Sequence, residues 1–170
     1  MRMGLFMATQ WPANADLDLE MANLCEQTRI AKDHGFSSVM VGQHVLSQPL
    51  QMIQAEPLIA RLAAEGDGLT FGITILLLAM QNPIVVAENA ASLDWITNGN
   101  YVLGVGLGYR PEEFEALGVE FEQRVSRFEE AIPLIRRLWN EKSVTHHGQH
   151  FNVSGLGASI KPKRAGGPPI

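Results

Sequence analysis

Four short apolar runs, each followed by a longer segment of helical periodicity, divide most of the chain. The runs suited to strands lie at residues 3–8, 36–41, 69–77 and 101–105, and the helical patterns lie at 17–30, 55–65, 83–97 and 122–139. Strands that alternate with helices of this length indicate parallel β-α-β units. Because such crossovers are right-handed, an open Rossmann-like sheet and a closed barrel are the architectures to consider.

Helix chemistry supports two of these segments and conflicts with one of them. Asn82-Pro83 places a capping residue before a proline at the first position of the third helix. In the fourth helix, Ser126 and Glu129 have the spacing of a capping box. Pro133 lies in the same segment, where it is expected to remove a hydrogen bond and bend the helix.

The alternation stops after residue 141. Residues 143–153, with Gly148-Gln149 near their centre, predict an excursion hairpin. Residues 154–170 are rich in glycine, proline and lysine, and they predict a tail that leads into a fifth strand at Pro168-Pro169-Ile170. We therefore predict a single α/β domain over residues 1–170 that holds only the first four β-α units.

Charge and cysteine content limit the partners. The net charge of −5 is scattered along the chain, so there is no basic stripe for nucleic acid and no polybasic patch for a membrane. Cys25 is the only cysteine, which suits a reducing compartment, and no apolar run approaches the roughly 20 residues of a membrane span. We expect a cytoplasmic protein without nucleic-acid or membrane partners.

The hairpin segment contains three histidines, His146, His147 and His150. Alternate residues of a strand face opposite sides, and neither an acidic residue nor a cysteine accompanies these histidines in the sequence. We therefore predict a surface hairpin and no metal site.

Active-site groups in parallel β/α folds lie on the loops that leave the carboxyl ends of the strands. The second predicted strand ends at Val41-Gly42-Gln43-His44, which places an imidazole where it can act as an acid, a base or a hydrogen-bond donor. A packed or surface histidine is the alternative on local sequence alone.

The loops after the third and fourth strands are also candidates. Residues 75–81 form an apolar loop, suited either to cover a flat aromatic cofactor or to join the core. Residues 104–111 are rich in glycine, so that backbone amides can approach a ligand and Arg110 can meet a phosphate, although a tight turn without a ligand fits equally. A Gly-x-Gly-x-x-Gly nicotinamide fingerprint fails here because its third glycine would fall at Tyr109, which disfavours a Rossmann domain.

An ordered set of segments resembles the bacterial luciferase-like monooxygenases and their deazaflavin-dependent relatives. The segments are residues 38–44, 82–88, 92–94 and 103–114, followed by Gly118, Arg124, Arg127, Glu130 and Leu138-Trp139. The resemblance covers nearly the whole chain and implies a TIM-type (β/α)8 barrel that binds FMN or coenzyme F420 at the carboxyl ends of its strands. It also implies hydride transfer to or from the flavin and, in many members, oxidation of a small organic substrate by molecular oxygen.

The resemblance also assigns site residues. His44 matches the active-site histidine beside the flavin. Ile75 and Leu76 match the end of the third strand, where a non-prolyl cis peptide often supports the isoalloxazine ring.

Further cofactor contacts follow from the same resemblance. Gly106, Gly108 and Tyr109 match the fourth loop, near the ring or the ribityl chain. Arg124 or Arg127 is implied to stabilise this loop or to contact phosphate.

The chain is much shorter than a full barrel of this type. A half-barrel has open strand edges and a half-covered apolar interior, so we expect it to self-associate into a homo-oligomer. Our leading hypothesis is a flavin-dependent oxidoreductase, and the alternative is a noncatalytic flavin-binding or assembly protein.

Overall fold

The computed structural model describes residues 2–170. The strands are β1 (Gly4–Phe6), β2 (Gln10–Trp11), β3 (Ser38–Val41), β4 (Gln51–Met52), β5 (Thr70–Leu77), β6 (Tyr101–Gly106), β7 (Val144–His147) and β8 (Asn152–Leu156). The helices are α1 (Leu17–Asp33), α2 (Ala55–Ala63), α3 (Pro83–Ile96), α4 (Pro111–Ala116) and α5 (Arg124–Asn140), with 3₁₀ turns at Leu78–Met80 and Phe121–Gln123. Within residues 2–170, none of the helices is long and apolar enough to cross a membrane.

The main sheet has four parallel strands in the order β1-β3-β5-β6. Each successive strand is therefore added at the same edge of the sheet. A doubly wound sheet instead reverses its strand order at a switch point. The sequential order decides between the two predicted architectures in favour of part of a barrel.

The two faces of this sheet differ in what covers them. Val39, Ile73 and Leu103 point towards the helices and are fully buried in the main core. The helical layer is tied together where the indole Nε1 of Trp139 donates a hydrogen bond to the carbonyl of Ala87 at 3.0 Å. The opposite face forms the inner side of the half-barrel, and its residues are the more exposed ones.

A β-bulge in β5 is central to the inner face. Ile73 pairs with Leu103 and Leu76 pairs with Val105, so β5 has one residue more than β6 between these pairs. Gly104 lies opposite the bulge, and a Cβ atom there would be 2.3 Å from the carbonyl oxygen of Ile73. Only glycine allows the two backbones to approach this closely.

The predicted cap of α3 is confirmed, whereas the predicted capping box of α5 is wrong. Asn82 accepts a hydrogen bond from the backbone N–H of Ile84 at 2.9 Å. Since α5 already begins at Arg124, Ser126 lies inside the helix, and its hydroxyl donates to the carbonyl of Gln123 and contacts the ring of His150.

The helix α5 continues through Pro133 without interruption. Pro133 cannot donate to the carbonyl of Glu129, four residues earlier. Both residues are exposed, so solvent can replace the missing donor. The expected loss of one hydrogen bond therefore does not end the helix.

The strands β7 and β8 form an antiparallel hairpin that packs along α5. Glu130 joins the two elements, because its carboxylate is 2.9 Å from Nε2 of His146 and accepts hydrogen bonds from the backbone N–H groups of His150 and Phe151. Burial alone would raise the pKa of Glu130, but these hydrogen bonds outweigh it and lower that pKa. The hairpin histidines thus have an acidic partner that the sequence did not reveal, although residues 2–170 contain no group of three side chains suited to hold a metal ion.

The tail ends beside β6, at the edge of the main sheet. The carbonyl of Pro169 accepts a hydrogen bond from the backbone N–H of Leu103 at 2.9 Å. The start of a fifth strand at this place stays a prediction.

Candidate cofactor and active site

A cleft of about 410 Å³ lies where the strands of the main sheet end. Its walls include Phe6, Met7, His44, Met52, Ile75 and Tyr109. Ligand sites commonly occupy such largely apolar clefts, with volumes of about 300 to 1,000 Å³. Three of the predicted site residues, His44, Ile75 and Tyr109, therefore meet in one cleft.

His44 lies in the loop after β3, and contacts with three elements hold it. Its Nδ1 atom is 3.2 Å from Oε1 of Glu113, a carboxylate in the first turn of α4 that is only 1% exposed. Gln54 donates a hydrogen bond to the backbone carbonyl of His44 at 2.9 Å. The ring of Tyr109 meets the imidazole edge to face, with 6.1 Å between the ring centroids.

Arg110 pairs with carboxylates beside the cleft. Its Nη1 atom donates to Oε1 of Glu113 at 3.2 Å, and its Nε atom donates to Glu112 at 2.9 Å. The hydrogen bond to Glu112 raises the pKa of Arg110 above its usual value. The predicted phosphate contact of Arg110 would therefore compete with two ion pairs.

The bulge in β5 directs two consecutive side chains towards the cleft. Thr74 and Ile75 both line it, and Ile75 is 41% exposed. The peptide bond between them is cis, in the segment where the resemblance implied one. Leu76 is 1% exposed and belongs to the main core, so the structure does not bring its side chain to the cleft.

Residues 75–81 are an ordered part of the fold, and the expectation of an apolar loop there is wrong. Ile75 to Leu77 complete β5, and residues 78–80 form a 3₁₀ turn. Leu77, Ala79 and Met80 pack with Phe114 in a small second core. Of this segment, only Ile75 and Leu77 line the cleft.

The two predicted glycines play different roles. A Cβ atom at Gly106 would lie 2.0 Å from Cδ1 of Ile75, so glycine leaves room for this side chain. Gly108 has a φ of 83°, which favours glycine, and a Cβ atom there would lie 2.6 Å from Met80, away from the cleft.

The two arginines of α5 bind protein groups outside the cleft. Arg124 donates a hydrogen bond to the carbonyl of Phe121 at 2.9 Å, and its guanidinium lies 4.0 Å from the centroid of that ring. Arg127 donates to the carbonyl of Ala79 at 2.9 Å and lies over the ring of Phe151. Arg127 therefore holds the 3₁₀ turn after β5, and within residues 2–170 neither arginine has a hydrogen bond to the loop after β6 that the resemblance implied.

Neighbouring loops are joined by side-chain hydrogen bonds. Gln43 accepts a hydrogen bond from the backbone N–H of Leu77 at 3.0 Å, which fixes the end of β5 to the loop after β3. The strands β2 and β4 pair antiparallel, and Gln10 and Met52 from this pair line the cleft. The side-chain amide of Gln51 donates to the carbonyls of residues 12, 13 and 15.

Glu113 and Gln43 are two polar residues of the site that the sequence did not single out, and Thr9, Gln10 and Thr74 of the cleft are others. Glu112 and Glu113 together look like ordinary acidic residues in a first helical turn. No periodic signal distinguishes the buried one from its exposed neighbour. Gln43 follows the second strand directly, and this position was the available signal for it.

A parallel sheet in sequential order, with helices on one face and a cleft at its carboxyl end, is the first half of a (β/α)8 barrel. The family model described as luciferase-like monooxygenase matches residues 1–170. The chain belongs to this family, as the resemblance predicted.

Relatives with known names include enzymes that use either cofactor. The chain is 38% identical over 104 residues to a phthiodiolone/phenolphthiodiolone dimycocerosates ketoreductase of Mycobacterium kansasii, covering 60% of this chain and 28% of the relative. It is 31% identical over 147 residues to an F420-dependent glucose-6-phosphate dehydrogenase of Segniliparus rotundus, covering 82% and 44%. The oxygenating constituent of 3,6-diketocamphane monooxygenase from Pseudomonas putida, solved with FMN, has the same fold with a TM-score of 0.84, at 20% identity over 99% of this chain and 50% of that one.

The chain spans half or less of the length of these proteins. FMN and F420 are both cofactors among them. The comparisons therefore define the family and the fold, and they indicate a flavin or deazaflavin cofactor for its members.

Proposed function

We propose that this chain provides the N-terminal half of the cofactor site of a luciferase-like oxidoreductase. In this proposal, FMN or F420 binds in the cleft and exchanges hydride with a small organic substrate, with molecular oxygen as a further substrate in a monooxygenase. The observation that carries the proposal is the meeting of His44, Ile75 and Tyr109 in one cleft, where Ile75 lies near the end of β5 and the other two follow β3 and β6.

The residues of the cleft fit a flat aromatic ring. Ile75 offers an apolar side chain that is 41% exposed, and Gly106 leaves space beside it. Gly42 also lines the cleft and presents only backbone there. Ile75 would therefore lie against one face of the ring, with Tyr109 and the glycine-rich loop next to the ring or its side chain.

A bound flavin supplies the hydride acceptor or donor, which protein side chains lack. The chain's own residues position the reactants and manage protons. His44 presents an imidazole that can give or take a proton at the edge of the cleft. Phe6, Ile75 and Tyr109 offer apolar surface that a bound ring would cover, which would keep water from that part of the cleft.

The names of the relatives support hydride transfer but differ in substrate. They include a ketoreductase, a sugar-phosphate dehydrogenase and a monooxygenase. The proposed substrate is therefore a small organic molecule. A cytoplasmic location and self-association belong to the same proposal, the latter because Phe6 on the inner face is 61% exposed.

The experiment is a titration of the 170-residue chain with FMN and with F420, followed by anaerobic reduction of whichever cofactor binds. The electron donors are a panel of secondary alcohols for F420 and NADH for FMN. We expect binding of one cofactor and a rate of reduction that falls at least about 100-fold in His44→Gln. His147→Gln, which changes an exposed histidine of the hairpin, is the matched control.

Each outcome bears on the proposal. Binding without reduction would favour the noncatalytic flavin-binding alternative. No binding of either cofactor would contradict both readings.

A further inference from the structure

We infer that Glu113 is a positioning residue that determines which ring nitrogen of His44 carries the proton. The inference rests on the proposed function only in the role that it gives to His44. The tautomer itself follows from contacts within the chain.

The carboxylate of Glu113 is buried and paired. It is 1% exposed, and a carboxylate at this depth requires partners. Oε1 of Glu113 is 3.2 Å from Nδ1 of His44 and also 3.2 Å from Nη1 of Arg110. Arg110 thus donates a charge-assisted hydrogen bond to the same oxygen that faces His44.

An ionised carboxylate accepts hydrogen bonds and cannot donate them. The contact between Glu113 and His44 is therefore a hydrogen bond only when Nδ1 carries the proton. The partner of one ring nitrogen decides the state of the other. In the uncharged ring, Nε2 of His44 is consequently the unprotonated nitrogen.

Nε2 is then the atom that His44 offers to a ligand. It lies on the opposite edge of the ring from Nδ1, and within the described part of the chain it has no hydrogen-bond partner. The side chain of His44 is 26% exposed and lines the cleft. A lone pair at this position selects a hydroxyl or an N–H group of the bound molecule, and the carboxylate stabilises the imidazolium if that proton is taken up.

Few charged or titratable groups face the imidazole ring of His44. The charged and titratable groups that face it are Glu113 from α4 and Arg110 and Tyr109 from the loop after β6. Glu112 acts on the ring only through Arg110. The backbone of His44 is held separately by Gln54, so loss of the carboxylate would release the tautomer without releasing the loop.

The experiment is nitrogen NMR of the imidazole rings in the 170-residue chain, without cofactor and on the alkaline side of neutrality, where imidazoles are uncharged. The His44 signals are assigned from their loss in His44→Gln. We expect a protonated Nδ1 and an unprotonated Nε2 in the wild type. In Glu113→Leu, which leaves Nδ1 without its acceptor, we expect protonation to move from Nδ1 to Nε2.

Glu112→Leu is the matched control, because it removes the neighbouring carboxylate and leaves the ring contact in place; its His44 spectrum should equal that of the wild type. With cofactor present, Glu113→Leu should lower the rate of reduction about 10- to 100-fold, as loss of a group that orients a reactive histidine does.

The inference is overturned if wild-type His44 carries its proton on Nε2, a measurement that does not depend on the folding of any variant. It is also overturned if Glu113→Leu, folded as the wild type, leaves the His44 spectrum unchanged. A confirmed tautomer in a chain that binds neither FMN nor F420 would leave the inference standing and reject the proposed function.

Discussion

Replacement of Ile75 by alanine tests the proposed ring contact directly. Ile75 is 41% exposed in the cleft, which corresponds to about 70 Å² of apolar surface and about 2 kcal/mol at roughly 25 cal/mol per Å² if a ring covers it. Alanine keeps part of this contact, so we expect a loss of about 1.4 kcal/mol, or about tenfold in the dissociation constant. The assay is a fluorescence titration of wild type and variant with the cofactor that binds.

Ile160 provides the matched control for this titration. It is 40% exposed, nearly as much as Ile75, and it does not line the cleft. Ile160→Ala should therefore leave the dissociation constant unchanged. Equal affinities of Ile75→Ala and the wild type, or an equal loss in Ile160→Ala, would refute a ring contact at Ile75.

Three further predictions concern stability in urea denaturation. Tyr101 has a buried hydroxyl without a hydrogen-bond partner among residues 2–170, and burial raises its pKa. Tyr101→Phe should therefore stabilise the fold by about 1 kcal/mol, whereas Tyr109→Phe, at an exposed ring, should change the stability little. A destabilised Tyr101→Phe would reveal a missed partner of the hydroxyl. Glu130→Gln should cost about 1 to 3 kcal/mol at neutral pH. Because the folded-state pKa of Glu130 is lowered, its contribution exists above the ordinary carboxyl value of 4.5 and is lost as the pH falls below it. The difference between wild type and variant should therefore shrink in acid, and a constant difference would contradict the role of the hydrogen bonds to this carboxylate. Gly104→Ala should cost about 1 to 3 kcal/mol of stability, and more than Gly106→Ala. The new Cβ atom at residue 104 meets the backbone of β5, whereas that at residue 106 meets the movable end of Ile75. A larger loss of stability in Gly106→Ala than in Gly104→Ala would count against the bulge geometry.

The main strands and helices could be predicted because the apolar side chains that each one buries form a recognisable pattern in the sequence. The strand β5 and the helix α3 were predicted within one residue at each end, since apolar runs and the cap at Asn82 define them. The strands β2 and β4 have two residues each, which is too short for any periodicity. Their pairing depends on loops that are far apart in the sequence, and so does the contact of the hairpin with Glu130.

The residues of the candidate site also divide into those that the sequence revealed and those that it did not. His44 and Ile75 could be found because each lies at or just after a strand end, where a parallel fold gathers its ligand contacts. Glu113 could not, since its contact with His44 joins residues 69 positions apart in the sequence. Arg124 was assigned from the family pattern alone, and in the structure it stacks on the neighbouring Phe121.

The small sheet of β2 and β4 has a consequence for loop engineering. It joins the loop after β1 to the loop after β3, and Gln51 bonds three carbonyls of the first loop from within the second. The two loops therefore behave as one mechanical unit. To transfer the substrate preference of a relative to this chain, both loops would have to be exchanged together. Either loop alone would lack the other loop that holds its conformation.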